Sequence, residues 1–104
     1  MGAAVSDYLN NGQQRLISVI GHLAGHEYQG ISVGALADKA GAGGTAVFRD
    51  VQNLKAAGWA EQLPGGTWRL TPEFAGMMRT VQRNIMTVME RVNRLNIDYI
   101  QGEG

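Results

Sequence analysis

A glycine-rich tract at residues 41–44 (Gly-Ala-Gly-Gly) separates two short segments with helical periodicity, and it constrains the fold more than any other feature. Glycine ends helices and forms tight turns, so we expect two helices to meet here at an angle. Ser32 is a good N-cap for the helix before the tract, and Gly58 is placed to end the helix after it, which begins at Thr45. The side chains expected to face inward from the two helices are Val33, Leu36, Ala37, Ala40, Val47, Phe48, Val51 and Leu54.

Another helix precedes this pair. From Gln13 to about Gly25 the apolar residues recur at three- and four-residue spacing, which predicts an amphipathic helix. Its inward face is expected at Leu16, Ile17, Ile20, Leu23 and Ala24. Residues 30–32 can pair as a brief strand before the second helix begins.

A hairpin is predicted after the third helix. Residues 59–63 and 67–70 have strand character, and the Pro-Gly-Gly sequence at residues 64–66 is typical of the turn between them. We expect Trp59 and Trp68 to face each other across this hairpin and to pack as a cross-strand pair or against the core.

The order helix, short strand, helix, tight turn, helix and hairpin is that of the winged helix-turn-helix. The sequence therefore predicts a mainly α fold with a small β-hairpin wing, followed by a long C-terminal helix. We divide the chain into a flexible N-terminal arm (1–12), a winged helix-turn-helix domain (13–70), the long helix (71–100) and a tail (101–104).

Particular residues within this order carry a family resemblance. They are the pair Leu36-Ala37 in the second helix, Gly41 at the turn, the aromatic-Arg pair Phe48-Arg49, the spacing from Leu54 to Gly58, and the hairpin. With these features, residues 13–72 resemble the N-terminal DNA-binding domain of IclR-type bacterial regulators. The turn departs from the family pattern, because Gly43 and Thr45 stand where Pro and Ser are usual. The resemblance implies a third helix that enters the major groove, and it implies nothing about small-molecule sensing.

The face of the third helix opposite its apolar stripe is polar. At 100° per residue, Thr45, Arg49, Gln52 and Asn53 lie on that face. Arg can bind guanine, and Asn or Gln can bind adenine, through two hydrogen bonds each, while Thr near a helix start can donate to phosphate. These residues are the candidates for binding double-stranded DNA, and the resemblance implies the same role for Thr45, Arg49 and Asn53. Arg69, beside the hairpin tip, is the candidate contact of the wing.

The balanced charge of the chain counts against DNA binding. The chain has nine Lys and Arg against nine Asp and Glu, whereas DNA-binding domains usually carry a basic excess. Asp50 and Asp38, on the third and second helices, are expected to repel phosphate. The preferred hypothesis is a sequence-specific DNA-binding transcriptional regulator. The alternative is a protein-interaction module, in which the winged helix is structural and the long helix binds a partner protein.

The long helix carries a heptad pattern. Thr71 is a good N-cap and Pro72 suits the first helical position. From Phe74 to Tyr99 the apolar residues alternate steps of four and three, which predicts self-association of this helix and a homodimer. The expected dimer contacts are Met78, Val81, Ile85, Val88, Val92 and Leu95. In the alternative arrangement the helix folds back on the first helix of its own subunit.

Several function classes are not expected. The chain has no cysteine, which excludes disulfide scaffolds, thiolate zinc sites and cysteine nucleophiles. His22 and His26 have the spacing of metal ligands, but the segment lacks the glutamate of the zinc-protease motif, so we expect no metal, no cofactor and no enzyme. No apolar run approaches the roughly 18 residues that a membrane span needs, and the N-terminus does not resemble a secretory signal. A cytoplasmic protein without membrane association is expected.

Overall fold

The computed structural model describes residues 5–102 of the chain. A 3₁₀ turn, Val5–Tyr8, precedes the regular elements. These are α1 (Asn11–Leu23), α2 (Val33–Ala40), α3 (Gly44–Ala56), β1 (Ala60–Gln62), β2 (Trp68–Leu70) and α4 (Pro72–Tyr99). The predicted fold is confirmed: it is mainly α, with a hairpin as the wing and a long C-terminal helix. The chain forms two compact units, Met1–Phe74 and Ala75–Gly104.

Helix α1 begins two residues earlier than the periodicity predicts. Asn10 is its N-cap, and the side-chain oxygen of Asn10 accepts a hydrogen bond of 2.9 Å from the backbone N–H of Gln13. Residues 11 and 12 therefore belong to the helix, not to a preceding arm. Residues 1–4 of the predicted arm and 103–104 of the predicted tail lie outside the described residues.

The first unit has an apolar core, to which α1, α2, α3 and the hairpin contribute side chains. Trp68 is the largest side chain that is fully buried in it. The other buried apolar residues are Val19, Leu23, Ile31, Leu36, Ala37, Val47, Val51, Leu54, Ala60 and Leu70. Trp68 and Ile31 also exchange two backbone hydrogen bonds of 2.9 Å, so the brief strand predicted at residues 30–32 is present as a single bridge.

Two predicted inward faces were partly wrong. On α1, Ile17 is 61% exposed and Ala24 is exposed, while Val19 is buried. The buried stripe follows Val19 and Leu23, and Ile17 lies to one side of it, because each residue turns the helix by about 100°. On α3, Phe48 is 50% exposed for the same reason.

The two tryptophans do not pair across the hairpin as predicted. In the antiparallel register, Trp68 lies opposite Gln62, and Leu70 lies opposite Ala60. Trp59 precedes the ladder and instead packs on Phe74, with ring centroids 4.9 Å apart and an interplanar angle of 57°. Both tryptophans thus serve packing, as expected, but through separate contacts.

Gly58 ends α3 in the way the sequence predicts. Its φ is +78°, and the backbone N–H groups of Gly58 and Trp59 donate to the carbonyls of Lys55 and Leu54. This is a Schellman motif, which satisfies two carbonyls at the end of the helix. A Cβ at Gly58 would lie 2.7 Å from Oε2 of Glu73, at the end of a flexible side chain that can move away, so it is the positive φ that requires glycine.

We expect Gly58→Ala to lower the free energy of unfolding by about 1–2 kcal/mol, because alanine is strained at positive φ. The control is Gly21→Ala in α1, where an added Cβ would meet nothing within 4 Å. That change should raise stability by roughly 0.5–1 kcal/mol, since alanine is the better helix former. Urea unfolding monitored by circular dichroism measures both. Equal stability of Gly58→Ala and the wild type would contradict the cap assignment.

Candidate nucleic-acid interface

An ion pair holds α3 against α1. Asp50 is only 4% exposed, and its two carboxylate oxygens accept hydrogen bonds from Nε and Nη2 of Arg15, at 2.6 and 2.9 Å. These bonds, together with the charge of the carboxylate, raise the pKa of the Arg15 guanidinium. A buried charge needs such a partner, because it is otherwise costly to remove from water.

The expectation that Asp50 repels phosphate was therefore wrong. Asp50 lies on the buried side of α3 with Val47, Val51 and Leu54, and Arg15 neutralises it. The exposed charges of α3 are consequently Arg49 and Lys55, both positive. The zero net charge of the whole chain hides this local excess.

The four polar residues predicted on α3 share one exposed face. Thr45, Arg49, Gln52 and Asn53 are all exposed. The side-chain amide Nδ2 of Asn53 donates a hydrogen bond of 2.8 Å to the carbonyl of Arg49. Because an amide nitrogen has two N–H bonds, this bond leaves one N–H and the oxygen of Asn53 for other partners. Phe48 lies on the same exposed side, although the sequence pattern assigns it to the buried one.

The N-terminus of α3 differs from those of α1 and α2. Its N-cap is Gly43, which has no side chain, so no cap side chain accepts the first N–H groups. A Cβ at Gly43 or Gly44 would meet nothing within 4 Å, so no neighbouring group crowds these two residues on that side. Thr45 lies in this first turn, at the positive end of the helix dipole.

The structure places Arg69 apart from the α3 residues, on β2. Its Nε donates to Oε2 of Glu61 at 3.0 Å, directly across the hairpin, and its Nη1 donates to the carbonyl of Glu27 at 3.1 Å. Arg69 is half-buried in these contacts. The tip of the wing, residues 64–66, is exposed and carries no charge.

The seam predicted on α4 is exposed along its length. Its six predicted dimer contacts are 49–59% exposed, and no residue of α4 is buried. These residues are Met78, Val81, Ile85, Val88, Val92 and Leu95. Phe74, the first position of the heptad pattern, instead packs on the core of the first unit beside Trp59. The exposed seam therefore begins at Met78.

The two histidines of the first unit do not belong to a metal-binding cluster. Among residues 5–102, no group of three or more His, Asp and Glu side chains could hold a metal ion. His22 and His26 are both half-buried. Within the same residues, no helix is long and apolar enough to cross a membrane.

One comparison with a solved structure agrees with the fold. No protein-family model and no curated protein sequence matches the chain. The chain is similar to the crystal structure of a protein described as an IclR transcriptional regulator from Silicibacter sp. TM1040, with 22% identity and a TM-score of 0.59, over 84% of this chain and 35% of that one. It also aligns with a variant of ZitR from Lactococcus lactis, with 14% identity and a TM-score of 0.45, over 99% of this chain and 71% of that one. The first likeness shows that the fold is a winged helix like that of the IclR type, and the chain spans about a third of that protein's length.

We expect Arg15→Met to lower the midpoint of thermal unfolding by about 10 °C, because it leaves the buried Asp50 carboxylate without a cation. The double variant Arg15→Met/Asp50→Leu should melt at a higher temperature than Arg15→Met. It removes the unpaired charge and fills the space of the ion pair with apolar side chains. Differential scanning calorimetry measures the three midpoints. An unchanged midpoint for Arg15→Met would show that the ion pair does not hold α3.

Proposed function

We propose that the chain is a sequence-specific, double-stranded DNA-binding transcriptional regulator that reads the major groove with α3 and dimerises through α4. The observation that carries the proposal is the exposed face of α3. It presents hydrogen-bonding side chains and only positive charge, since the one acidic residue of the helix is buried against Arg15. The likeness to a transcriptional regulator of known structure supports the same role.

Each residue of this face has a distinct task in the proposal. Arg49 binds guanine through O6 and N7, and Gln52 and Asn53 bind adenine through N6 and N7. Thr45 and the uncapped N–H groups of the first turn of α3 bind a phosphate, which fixes the register of the helix in the groove. The phosphate contact supplies affinity, and the base contacts supply specificity.

Arg69 is the candidate contact between the wing and a DNA phosphate, and it contributes less to the binding affinity than the residues of α3. Its guanidinium already bonds Glu61 and the carbonyl of Glu27, so a phosphate must compete with both. A partly exposed ion pair such as Arg69–Glu61 stabilises by about 0–1 kcal/mol, so a phosphate of higher charge density can displace Glu61 at little cost. The uncharged tip adds no further cation to the wing.

A second copy of the chain is the proposed partner of α4. The helix has 28 residues, a length of about 40 Å, and its apolar seam is half exposed. A helix gains most of its stability from packing its apolar face, and a long exposed apolar stripe marks an association site. The four-three spacing suits a copy of the same helix, because identical seams pack knobs into holes. Two linked domains would then bind two half-sites.

The rival hypothesis is a protein-interaction module. The zero net charge favours it, and so do three methionines beside the seam, Met77, Met86 and Met89, which are 43–64% exposed. Methionine is adaptable and is common on surfaces that bind other proteins. Binding to mixed-sequence duplex DNA at about 50 and 200 mM salt separates the two hypotheses, because each phosphate contact adds roughly 0.9 to the logarithmic salt slope. DNA binding predicts a steep slope, and the rival predicts no binding.

We expect Arg49→Ala to weaken binding to a selected DNA site by about 1–3 kcal/mol and to relax discrimination at one base pair, with an unchanged melting temperature. The matched control is Lys55→Ala, which removes the same charge from the same helix and should leave base discrimination intact. Fluorescence anisotropy with the selected site and its single-base variants measures both. Equal affinities of Arg49→Ala and the wild type for every site would refute the role of Arg49.

For α4, we expect Ile85→Glu/Val88→Glu to yield monomers in sedimentation velocity, because four carboxylates would have to be desolvated at the centre of the seam. The control Met86→Glu/Thr87→Glu adds the same charge outside the seam and should remain dimeric. Affinity for a two-half-site DNA should fall by about 10²-fold or more only in the first variant. A monomeric wild type, with a first unit that unfolds in Ile85→Glu/Val88→Glu, would instead show that the seam packs within its own chain.

A further inference from the structure

One side chain on the exposed face of α3 has no task in the function proposed above. Phe48 is 50% exposed, although it is the aromatic residue of that helix and the rest of its apolar stripe is buried. It lies one turn from both Thr45 and Gln52, and it directly precedes Arg49. An apolar ring is therefore placed within the polar surface that is proposed to enter the major groove.

The ring of Phe48 lies outside the apolar core. Val47 and Val51, on the buried side of α3, are completely inaccessible to solvent, and Trp68 fills the core beneath the hairpin. The bidentate bonds between Arg15 and Asp50 hold the buried side of α3 against α1, and Phe48 lies outside that side. About half of the Phe48 side chain is thus left in water, so its partial burial contributes little to the stability of the fold.

We propose that Phe48 determines specificity for thymine, by packing its ring against the 5-methyl group in the major groove. That methyl is the apolar group that the base edges display there, and a phenylalanine can contact it. Because Phe48 adjoins Arg49, the thymine lies close to the guanine that Arg49 binds. This inference rests on the proposed function and deepens it by naming the base that an apolar contact selects.

Deoxyuridine substitution tests the contact directly. A duplex site is first selected from randomised DNA with the full-length wild-type chain, and each thymine of that site is then replaced singly by deoxyuridine. This replacement removes the methyl and keeps the hydrogen-bonding groups of the base. At one thymine in each half-site, wild-type affinity should fall about fourfold, the factor that corresponds to one buried methyl group. Phe48→Ala should bind the thymine and deoxyuridine sites equally.

Two further variants separate the methyl contact from a general loss of DNA affinity. Gln52→Ala, on the same face, should lower affinity while keeping the fourfold ratio between thymine and deoxyuridine. Phe48→Leu, which remains apolar, should retain part of that ratio. Thermal melting should show that Phe48→Ala is folded, because the side chain is exposed.

The outcomes distinguish this inference from the function on which it rests. Wild-type DNA binding that is insensitive to deoxyuridine at every position overturns the role of Phe48 and leaves DNA binding standing. A selected site without thymine, or a ratio that persists in Phe48→Ala, overturns it as well. If the wild type binds no duplex DNA even at about 50 mM salt, where phosphate contacts are strongest, the proposed function fails and the inference fails with it.

Discussion

The ion pair between Arg15 and Asp50 is the interaction on which the candidate site depends. It joins α1 to α3 through a carboxylate that is almost completely buried, and both oxygens of that carboxylate are bonded. A buried carboxylate without its guanidinium would be costly, so the pair favours the rotation of α3 in which Asp50 faces Arg15. The rotation it selects buries Val47, Val51 and Leu54 and turns Phe48 and Arg49 toward solvent. The pair also hides the one negative charge of α3, so a chain without net charge presents a locally positive helix.

The hairpin contributes a scaffold more than a charged surface. Its inner strand supplies Trp68, which fills the core and forms backbone bonds with Ile31, while Trp59 packs on Phe74. The charged pair on its outer side, Arg69 and Glu61, is satisfied across the two strands. The electrostatic case for DNA therefore rests on α3 and its uncapped N-terminus. Under the proposed function, each copy would therefore bind DNA with a modest affinity, and linkage of two copies through α4 would compensate for it.

Helix α4 is packed at its beginning and exposed further along. At its beginning, the Thr71 hydroxyl accepts from the N–H of Phe74 at 3.0 Å, and Phe74 packs on the core of the first unit. From Met78 onward, the apolar stripe keeps its four-three spacing but loses burial. Sequence periodicity treats both parts alike, because it reports which face is apolar and not what covers that face.

The order of the elements was predictable from the sequence, as were the starts of α2 and α4 and the end of α3, whereas the start of α1 was not. Ser32, Gly58 and Thr71 were predictable because a cap depends on hydrogen bonds and φ angles within a few residues. Tertiary structure decided which residues at the edges of the helical stripes are buried, so Val19 is inside while Ile17 and Phe48 are outside. It also decided that Asp50 is buried and paired, because its partner Arg15 lies 35 residues away in the chain. Periodicity of about 100° per residue leaves such edge positions undetermined, and only the packing of distant segments against each other selects the rotation of each helix.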